Sequence, residues 1–519
     1  MPVSANDNGA PDIGEAEIVR FLASPAAHAG ATPQHVETHL SHLFLAGARV
    51  LKLKKRVDWS VVDYSTLEKR EGFCRKEVEV NRRFAPDLYR GVVPVTRTAG
   101  GLAVGGAGAV VEWLVDMRRF AADEQLDVMA DHGALTPAVV DATADAVAAL
   151  HRAAPVVWQP GADPVAARTA QLERDVAKGL RASQAAGAAS GAAGSAALDD
   201  VAAWARAAEA ALAACRPLLD RRARHGFVRR CHGDLHLSNL CLWQGRPTAF
   251  DAIEFSEEIA RIDVLYDMAF VLVDLDARGL ADHSWRFLSR YMEATRDYSG
   301  LALLPLFLSQ RAMVRALTRL AKGRDAAAMA ALARRYLEAR PAPRVIAVGG
   351  LSGTGKSTVA RALSPGAAAV VIRSDSVRKR LAGVAPEVPL GREAYTATAN
   401  AAVYRRMALD AGRALRAGAP VILDATFADP AMRARAAAVA AAAGVPFTGL
   451  WLTAPADVLR ARIAARVGDA SDADAAVLEA QLAHPLGAVD WVEVDAAGAP
   501  ETVAATAAAV LHGRPADGR

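Results

Sequence analysis

The chain has 519 residues, 52% apolar and 23% charged, with a formal net charge of +4. At about 100 to 200 residues per domain this length exceeds one ordinary core, so two or more units are expected. The balanced charge argues against a nucleic-acid partner, the composition argues against disorder, and no apolar run is expected to reach the roughly 18 residues of a membrane-spanning helix. The polar, acidic start MPVSANDNGAPDIGEAE lacks the basic and apolar stretches of an export signal, and residues 1–30 read as a flexible leader. Cys74, Cys215, Cys231 and Cys241 show no CxxC pair or metal-ligand spacing, which suits reduced thiols and a cytoplasmic protein.

After the leader, HVETHLSHLFL and RVLKLKK alternate apolar residues at period two and read as strands joined by AGAR, with Lys52 and Lys54 on one face. Thr66 to Phe84 has helical spacing and carries Glu77 and Glu79 near its middle. GAVVEWLV at Gly108–Val115 is another strand, beyond which the chain reads as mostly helical. The low-complexity stretch Ala182 to Ala197 reads as a surface connection.

Arg230–Leu240, RCHGDLHLSNL, is followed by TAFDAIEF at Thr248–Phe255. His232, Asp234 and Asn239 have the H-x-D-x-x-x-x-N spacing in which the aspartate accepts a proton from an attacking hydroxyl and the asparagine holds a metal ion. Asp251, at the end of an apolar strand, supplies a second oxygen donor of the kind Mg2+ prefers. Asp263 and Asp267 lie one helical turn apart and are expected to brace that loop. Arg311, Arg315 and Arg319 share one helix face, expected to be solvated or interdomain. Pro341 and Pro343 break the helix and set a boundary, giving 31–340 and 341–519 as domains.

The second domain opens on VIAVGGLSGTGKST at Val345–Thr358, an apolar strand running into a P-loop. Gly350, Leu351, Ser352, Gly353, Thr354 and Gly355 would cradle phosphates with backbone N–H groups, Lys356 would reach the outer phosphates, and Ser357, followed by Thr358, would place an oxygen on Mg2+. GAAAVVIRSD, GAPVILDAT, PFTGLWLTAP and AVDWVEVDA read as further strands separated by helices, hence a parallel sheet with ligands at its carboxyl edge. Asp424 there is the natural metal carboxylate. Asp375 is either a general base, with Arg378 one turn later as its cation, or a cap of the following helix. Arg462 and Arg466 precede the turn-rich GDASDAD and are either lid arginines over a transferring phosphoryl group or helix surface.

HGDLHLSNL with DAIEF resembles the aminoglycoside phosphotransferase family, the small-molecule branch of the kinase-like fold, over about residues 35 to 320. That resemblance implies a two-lobed α+β domain hinged near Glu112 to Val115. It implies Asp234 as catalytic base, Asn239 and Asp251 as metal ligands, and Lys52 paired with Glu77 at the nucleotide phosphates, with Lys54 and Glu79 as equal alternatives. Gly233 stands where protein kinases carry arginine, and no GxGxxG loop precedes Lys52. SGTGKST, D-x-x-R and LDAT resemble the P-loop kinases of the gluconate kinase, polynucleotide 5'-kinase and zeta-toxin-like groups, implying an α/β P-loop (AAA-type) domain. Together the halves resemble the bacterial bifunctional aminoglycoside phosphotransferase/ATP-binding proteins. The expectation is an ATP- and Mg2+-dependent kinase with two sites acting on small molecules, without a membrane partner and with its oligomeric state open. The alternatives are a regulatory ATP sensor in one domain, or a polynucleotide 5'-hydroxyl kinase in the second.

Overall fold

The computed structural model describes residues 13–59, 62–185, 192–339, 341–384, 388–465, 475–483 and 485–512. The chain divides into two compact units, Met1–Gly161 with Asp220–Asp274, and Ala162–Leu219 with Leu275–Arg519.

The first unit is built on an antiparallel sheet of β1 (Gln34–Glu37), β2 (Ser41–Ala46), β3 (Arg49–Lys54), β4 (Tyr89–Thr98), β5 (Gly101–Val104) and β6 (Ala109–Arg118). Its spatial order is β1-β2-β3-β6-β4-β5. The run expected as one strand thus folds as two, with a turn at 38–40 in which the Thr38 hydroxyl accepts from Ser41 N–H at 3.0 Å. Helix α1 (Leu67–Asn81) starts where the Thr66 hydroxyl accepts from Lys69 N–H, an N-cap that satisfies one of the orphan donors of the first turn. It packs across β6 and β4, burying Cys74 and Val78 with Val50, Leu88 and Val115.

Three expectations need correction here. Residues 13–30 are not a flexible leader: Glu15–Leu22 is a helix whose Ile18 and Leu22 enter the core beside Phe44 and Leu51. Its four-residue apolar spacing sits inside a polar, acidic segment, and residues 1–12 lie outside the described ones. The stretch Glu112–Val115 is not a hinge, because all four residues lie inside β6 and pair with its neighbours in the sheet. Finally, Tyr298–Ala321 is long and apolar enough to span a membrane by length and mean hydropathy, 1.2 over its window, but 72% of that window is buried within the protein. It is a core helix by packing, and of the face expected to be solvated or interdomain Arg311 is buried.

The second unit combines helices with a parallel sheet. Helix Leu304–Ala321 packs on Ala162–Ala185 and Ala327–Glu338, Gln310 donates to the Thr169 hydroxyl at 2.6 Å, and the Trp204 indole N–H donates to the Ser309 hydroxyl at 2.7 Å. Residues 186–191 of the low-complexity stretch lie outside the described ones; its described flanks are helical. The sheet contains β7 (Val345–Gly350), β8 (Val370–Arg373), β9 (Val421–Asp424), β10 (Phe447–Thr453) and β11 (Val492–Asp495) in the order β8-β9-β7-β10-β11, all parallel. Strands β7, β8 and β9 are buried at every residue, as their unbroken apolar runs require for a sheet covered on both faces. Helix α2 (Lys356–Ala367) and the terminal helix Pro500–Leu511 share one core with the sheet through Val359, Leu363, Val503 and Ala507.

Candidate active sites

In the first unit the strand alternation brings Lys52 and Lys54 together on α1. Lys52 Nζ lies 2.8 Å from Glu77 Oε1 and 2.6 Å from Asp251 Oδ1. Lys54 Nζ lies 2.6 Å from Glu77 Oε2 and 2.5 Å from Glu254 Oε1. One carboxylate therefore serves both lysines, while Glu79 faces solvent beside Lys76. Burial pushes the Glu77 carboxyl up, but the two ammonium groups win and hold it down at about 2. Tyr64 donates to Glu254 at 2.9 Å, completing a buried polar cluster.

Asp251 sits just after the strand Arg246–Ala249, with φ +61 and its N–H donated to the Tyr89 hydroxyl at 3.0 Å. The following peptide is clamped by Asn81, whose Oδ1 accepts from Ala252 N–H at 2.7 Å. Asn239 donates through Nδ2 to the Asp234 carbonyl at 2.9 Å and to its carboxylate at 3.2 Å, which leaves its amide oxygen as the atom that a metal can use. Asp267 accepts the N–H groups of His232 and Gly233, each at 3.0 Å, and so braces the catalytic loop. Asp263 does not: it pairs with Arg222 at 2.7 Å. Gly233 has φ +90, which strains any L residue, and a Cβ there would press on Ile253 at 3.0 Å, so glycine suits this turn. His232 donates from Nε2 to the Phe250 carbonyl at 2.9 Å, and burial lowers its pKa. It is a neutral bracket for the loop. Ligand atoms of His151, Cys231 and Asp267 lie within 4.8 Å of one another, but both Asp267 oxygens are taken by the loop amides, so this cluster reads as structural.

In the second unit the P-loop lines a cavity of about 440 Å³ formed by Gly353 to Val359 with Asp375, Arg462, Ala496, Gly498, Pro500 and Val503. Gly353 has φ +87, and a Cβ on it would stand 2.9 Å from the Leu459 carbonyl. That cradle is closed to any side chain. Asp375 falls in the first turn of helix α3 (Ser374–Leu381), just past β8. Burial raises its pKa against the opposing pull of Lys356 and Arg373. Arg378, whose charge also acts on Asp375, donates to Asn400 Oδ1 at 2.7 Å and to the Ala394 carbonyl, with its guanidinium over the Tyr395 ring. Arg462 donates to the Ala496 and Gly498 carbonyls at 2.7 and 2.9 Å, so the turn after β11 holds it. Arg466 lies outside the described residues.

Asp424 ends β9, adjacent to β8. Its Oδ1 is buried and lacks a hydrogen-bond partner among the described residues, a costly state for a carboxylate oxygen unless a cation completes it. The donor set of Asp424 and Ser357 therefore fits Mg2+. Sequence reasoning missed Arg373, whose Nε lies 3.3 Å from Asp424 Oδ2 and whose Nη2 lies 3.5 Å from Ser357 Oγ. Its signal was available: one charged residue closing the buried run VVIR. Also missed were Glu254 and Gln481, the latter accepting Ser352 N–H at 2.8 Å. Glu254 lies within the DAIEF run but was given no role there, and Gln481 sits in no motif.

Residues 48–304 match the family described as a phosphotransferase enzyme family, and 345–485 match the family described as an AAA domain. Uncharacterized proteins of Mycobacterium tuberculosis and Mycobacterium bovis are 31% identical over 488 residues, covering 90% of this chain and 92% of theirs. The chain belongs to this family of fused kinases. Among solved structures, the fused kinase is similar to a choline/ethanolamine kinase family protein from Mesorhizobium loti, at 17% identity over 62% of this chain and 95% of that one, TM-score 0.38. It is also similar to a gluconokinase from Sinorhizobium meliloti, at 24% identity over 33% and 97%, TM-score 0.23. By its two family matches the fused kinase joins a phosphotransferase-family domain to a P-loop kinase domain, and its general chemistry is phosphoryl transfer.

Proposed function

We propose that the fused kinase carries two phosphotransferase sites, one in each half, each passing the γ-phosphoryl group of Mg-ATP to a hydroxyl of a small molecule. The observation that supports this most is that each half carries an aspartate, a lysine and oxygen donors of its own in a kinase-type motif. In the first, Asn239 donates to the Asp234 carboxylate and Lys52 pairs with Asp251; in the second, Asp375 and Lys356 share a cavity with Ser357, and Asp424 ends the strand next to the one that leads into Asp375. At either site the aspartate takes the hydroxyl proton as the new O–P bond forms and the β,γ-bridging bond breaks, releasing ADP. Bound Mg2+ supplies neutralisation of phosphate charge; Asn239 and Asp251 would hold it in the first site, Ser357 and Asp424 in the second.

Lys52 and Lys356 bind the nucleotide phosphates, with Glu77 fixing the first lysine by ion pairing. The division of chemistry runs near residue 341, and four buried cysteines without a disulfide among them fit a cytoplasmic enzyme. The test is radiolabelled ATP with a metabolite extract, comparing Asp234→Ala with Lys356→Ala. Loss of a different labelled product in each variant supports two kinases. Absence of any product with the wild-type chain would sink the reading and favour nucleotide sensing, and labelling of a 5'-hydroxyl oligonucleotide would replace the small-molecule acceptor of the second site.

A further inference from the structure

The P-loop site rests on a helix that lies about fifty residues upstream of its first strand. Helix Ala281–Thr295 packs against β8 and α2 within the second unit, although it lies inside the matched phosphotransferase segment 48–304. Strand β8 is an edge of the parallel sheet, and an edge leaves backbone donors to be satisfied. Ser289 meets that need by accepting the Val371 N–H at 3.2 Å.

One turn further along the same face stands Glu293. Its carbonyl accepts from Arg380 of α3 at 2.9 Å, and Arg380 also reaches the buried Asp410 at 3.2 Å. The Glu293 side chain is buried with Arg290 Nη1 3.9 Å from its Oε2. As Glu293 stands one turn beyond Ser289, so Arg373 stands two residues beyond Val371 on β8; the charges of Arg373 and Arg361 act on Glu293 as well. Burial raises its pKa, and Arg373 opposes this more than the other two cations do. Arg373 in turn contacts both donors of the P-loop metal site, Asp424 and Ser357. Glu293, Arg373 and Asp424 thus form an alternating series of charges running from the upstream helix to the magnesium donors.

We infer that Glu293 is a positioning residue for the P-loop Mg2+ site, acting through Arg373 to hold Asp424 and Ser357 in place. A buried arginine next to a metal carboxylate competes with the metal unless a second anion draws it back. Glu293 is that anion. The inference rests on reading the P-loop half as a Mg-nucleotide site. It adds that this site is incomplete without a residue from the phosphotransferase segment.

The experiment uses the full chain and the binding of a fluorescent methylanthraniloyl derivative of a non-hydrolysable ATP analogue, titrated with MgCl2. The signal of interest is the part abolished by Lys356→Ala, measured in each background. Glu293→Gln should raise the Mg2+ midpoint of that part by about tenfold or more, the usual effect of losing an outer-shell partner. Glu293→Asp should recover part of the shift. Ser289→Ala should lower the melting temperature and leave the midpoint unchanged. A lower melting temperature for Glu293→Gln with an unmoved Mg2+ midpoint would reduce Glu293 to a packing residue and overturn the inference. If Glu293→Gln does not fold, Arg373→Lys and Glu293→Asp must both raise the midpoint, and an unmoved midpoint in either overturns it. A wild-type chain without Lys356-dependent binding overturns the reading of the P-loop site itself, an outcome distinct from the others.

Discussion

The two candidate sites solve the same electrostatic problem with opposite architectures. In the second unit, the proposed phosphate cradle, lysine and metal hydroxyl come from one unbroken stretch, Gly350 to Thr358, and the proposed carboxylates from the ends of two adjacent strands. In the first, Lys52 reaches Asp251 across 199 residues of sequence, and Lys54 reaches Glu254 across 200. A local loop presents backbone N–H groups whose geometry survives as long as its glycines do. A site assembled at long range depends on the packing of the whole unit, and the first site accordingly invests a second, fully buried lysine in holding strand, helix and the Asp251–Glu254 loop together.

The largest effect that would break this comparison is on turnover. Asp234→Ala should cut formation of one labelled product by about 10² to 10⁴-fold, the usual contribution of a general base, and leave the other product untouched. Lys356→Ala should do the reverse, by about 10² to 10³-fold if it acts as a preorganised electrostatic group. Phosphate-transfer assays on the separated products check both, and parallel loss of both products from either change would show that the sites are not independent.

Next in size is stability. Lys54→Met removes one partner of a buried pair and should cost about 3 to 5 kcal/mol, because Glu254 is left without its cation. Adding Glu254→Gln should recover much of that loss. Lys356→Met, whose partner is expected to be a phosphate, should change the chemical-denaturation midpoint far less. Equal losses from Lys54 and Lys356 would erase the distinction between a packed and a loop-built site.

A finer test lies within the P-loop. Gly353→Ala places a Cβ 2.9 Å from the Leu459 carbonyl and should abolish Lys356-dependent nucleotide binding, whereas Gly355, with φ +81 and open space around its Cβ position, meets only the backbone term. Gly355→Ala should therefore cost about 1 to 2 kcal/mol of local conformational energy and a correspondingly smaller part of the affinity. Calorimetric titration with the ATP analogue would check the order.

The smallest effect is in pH dependence. Burial raises the Asp375 pKa, so as pH falls this carboxylate takes up a proton before an ordinary aspartate does, and the acidic limb of second-site activity should lie above the usual aspartate range. The folded state holds that proton more tightly than the unfolded chain, so this term favours folding at low pH. The contribution is lost as pH rises through the folded pKa. Asp375→Asn should flatten the corresponding part of a melting-temperature profile. An acidic limb at the ordinary aspartate value would remove Asp375 as the buried base.

Much of this was legible from residues alone because it is carried by spacing. The P-loop, H-x-D-x-x-x-x-N and the aspartate closing β9 specify their chemistry through short contiguous patterns, and the alternating strands and helices of the second half imply its parallel sheet. The sequence by itself determined two kinase-type halves and the motif residues from which their candidate sites are built. Tertiary structure alone decided that both Lys52 and Lys54 converge on Glu77, that Asp267 and not Asp263 braces the catalytic loop, that Arg378 turns toward Asn400, and that helix Ala281–Thr295 supports β8. Each of those outcomes depends on which surfaces meet across large separations in the chain, and on the need of every buried charge and backbone N–H to find a partner. Neither is expressed in local periodicity.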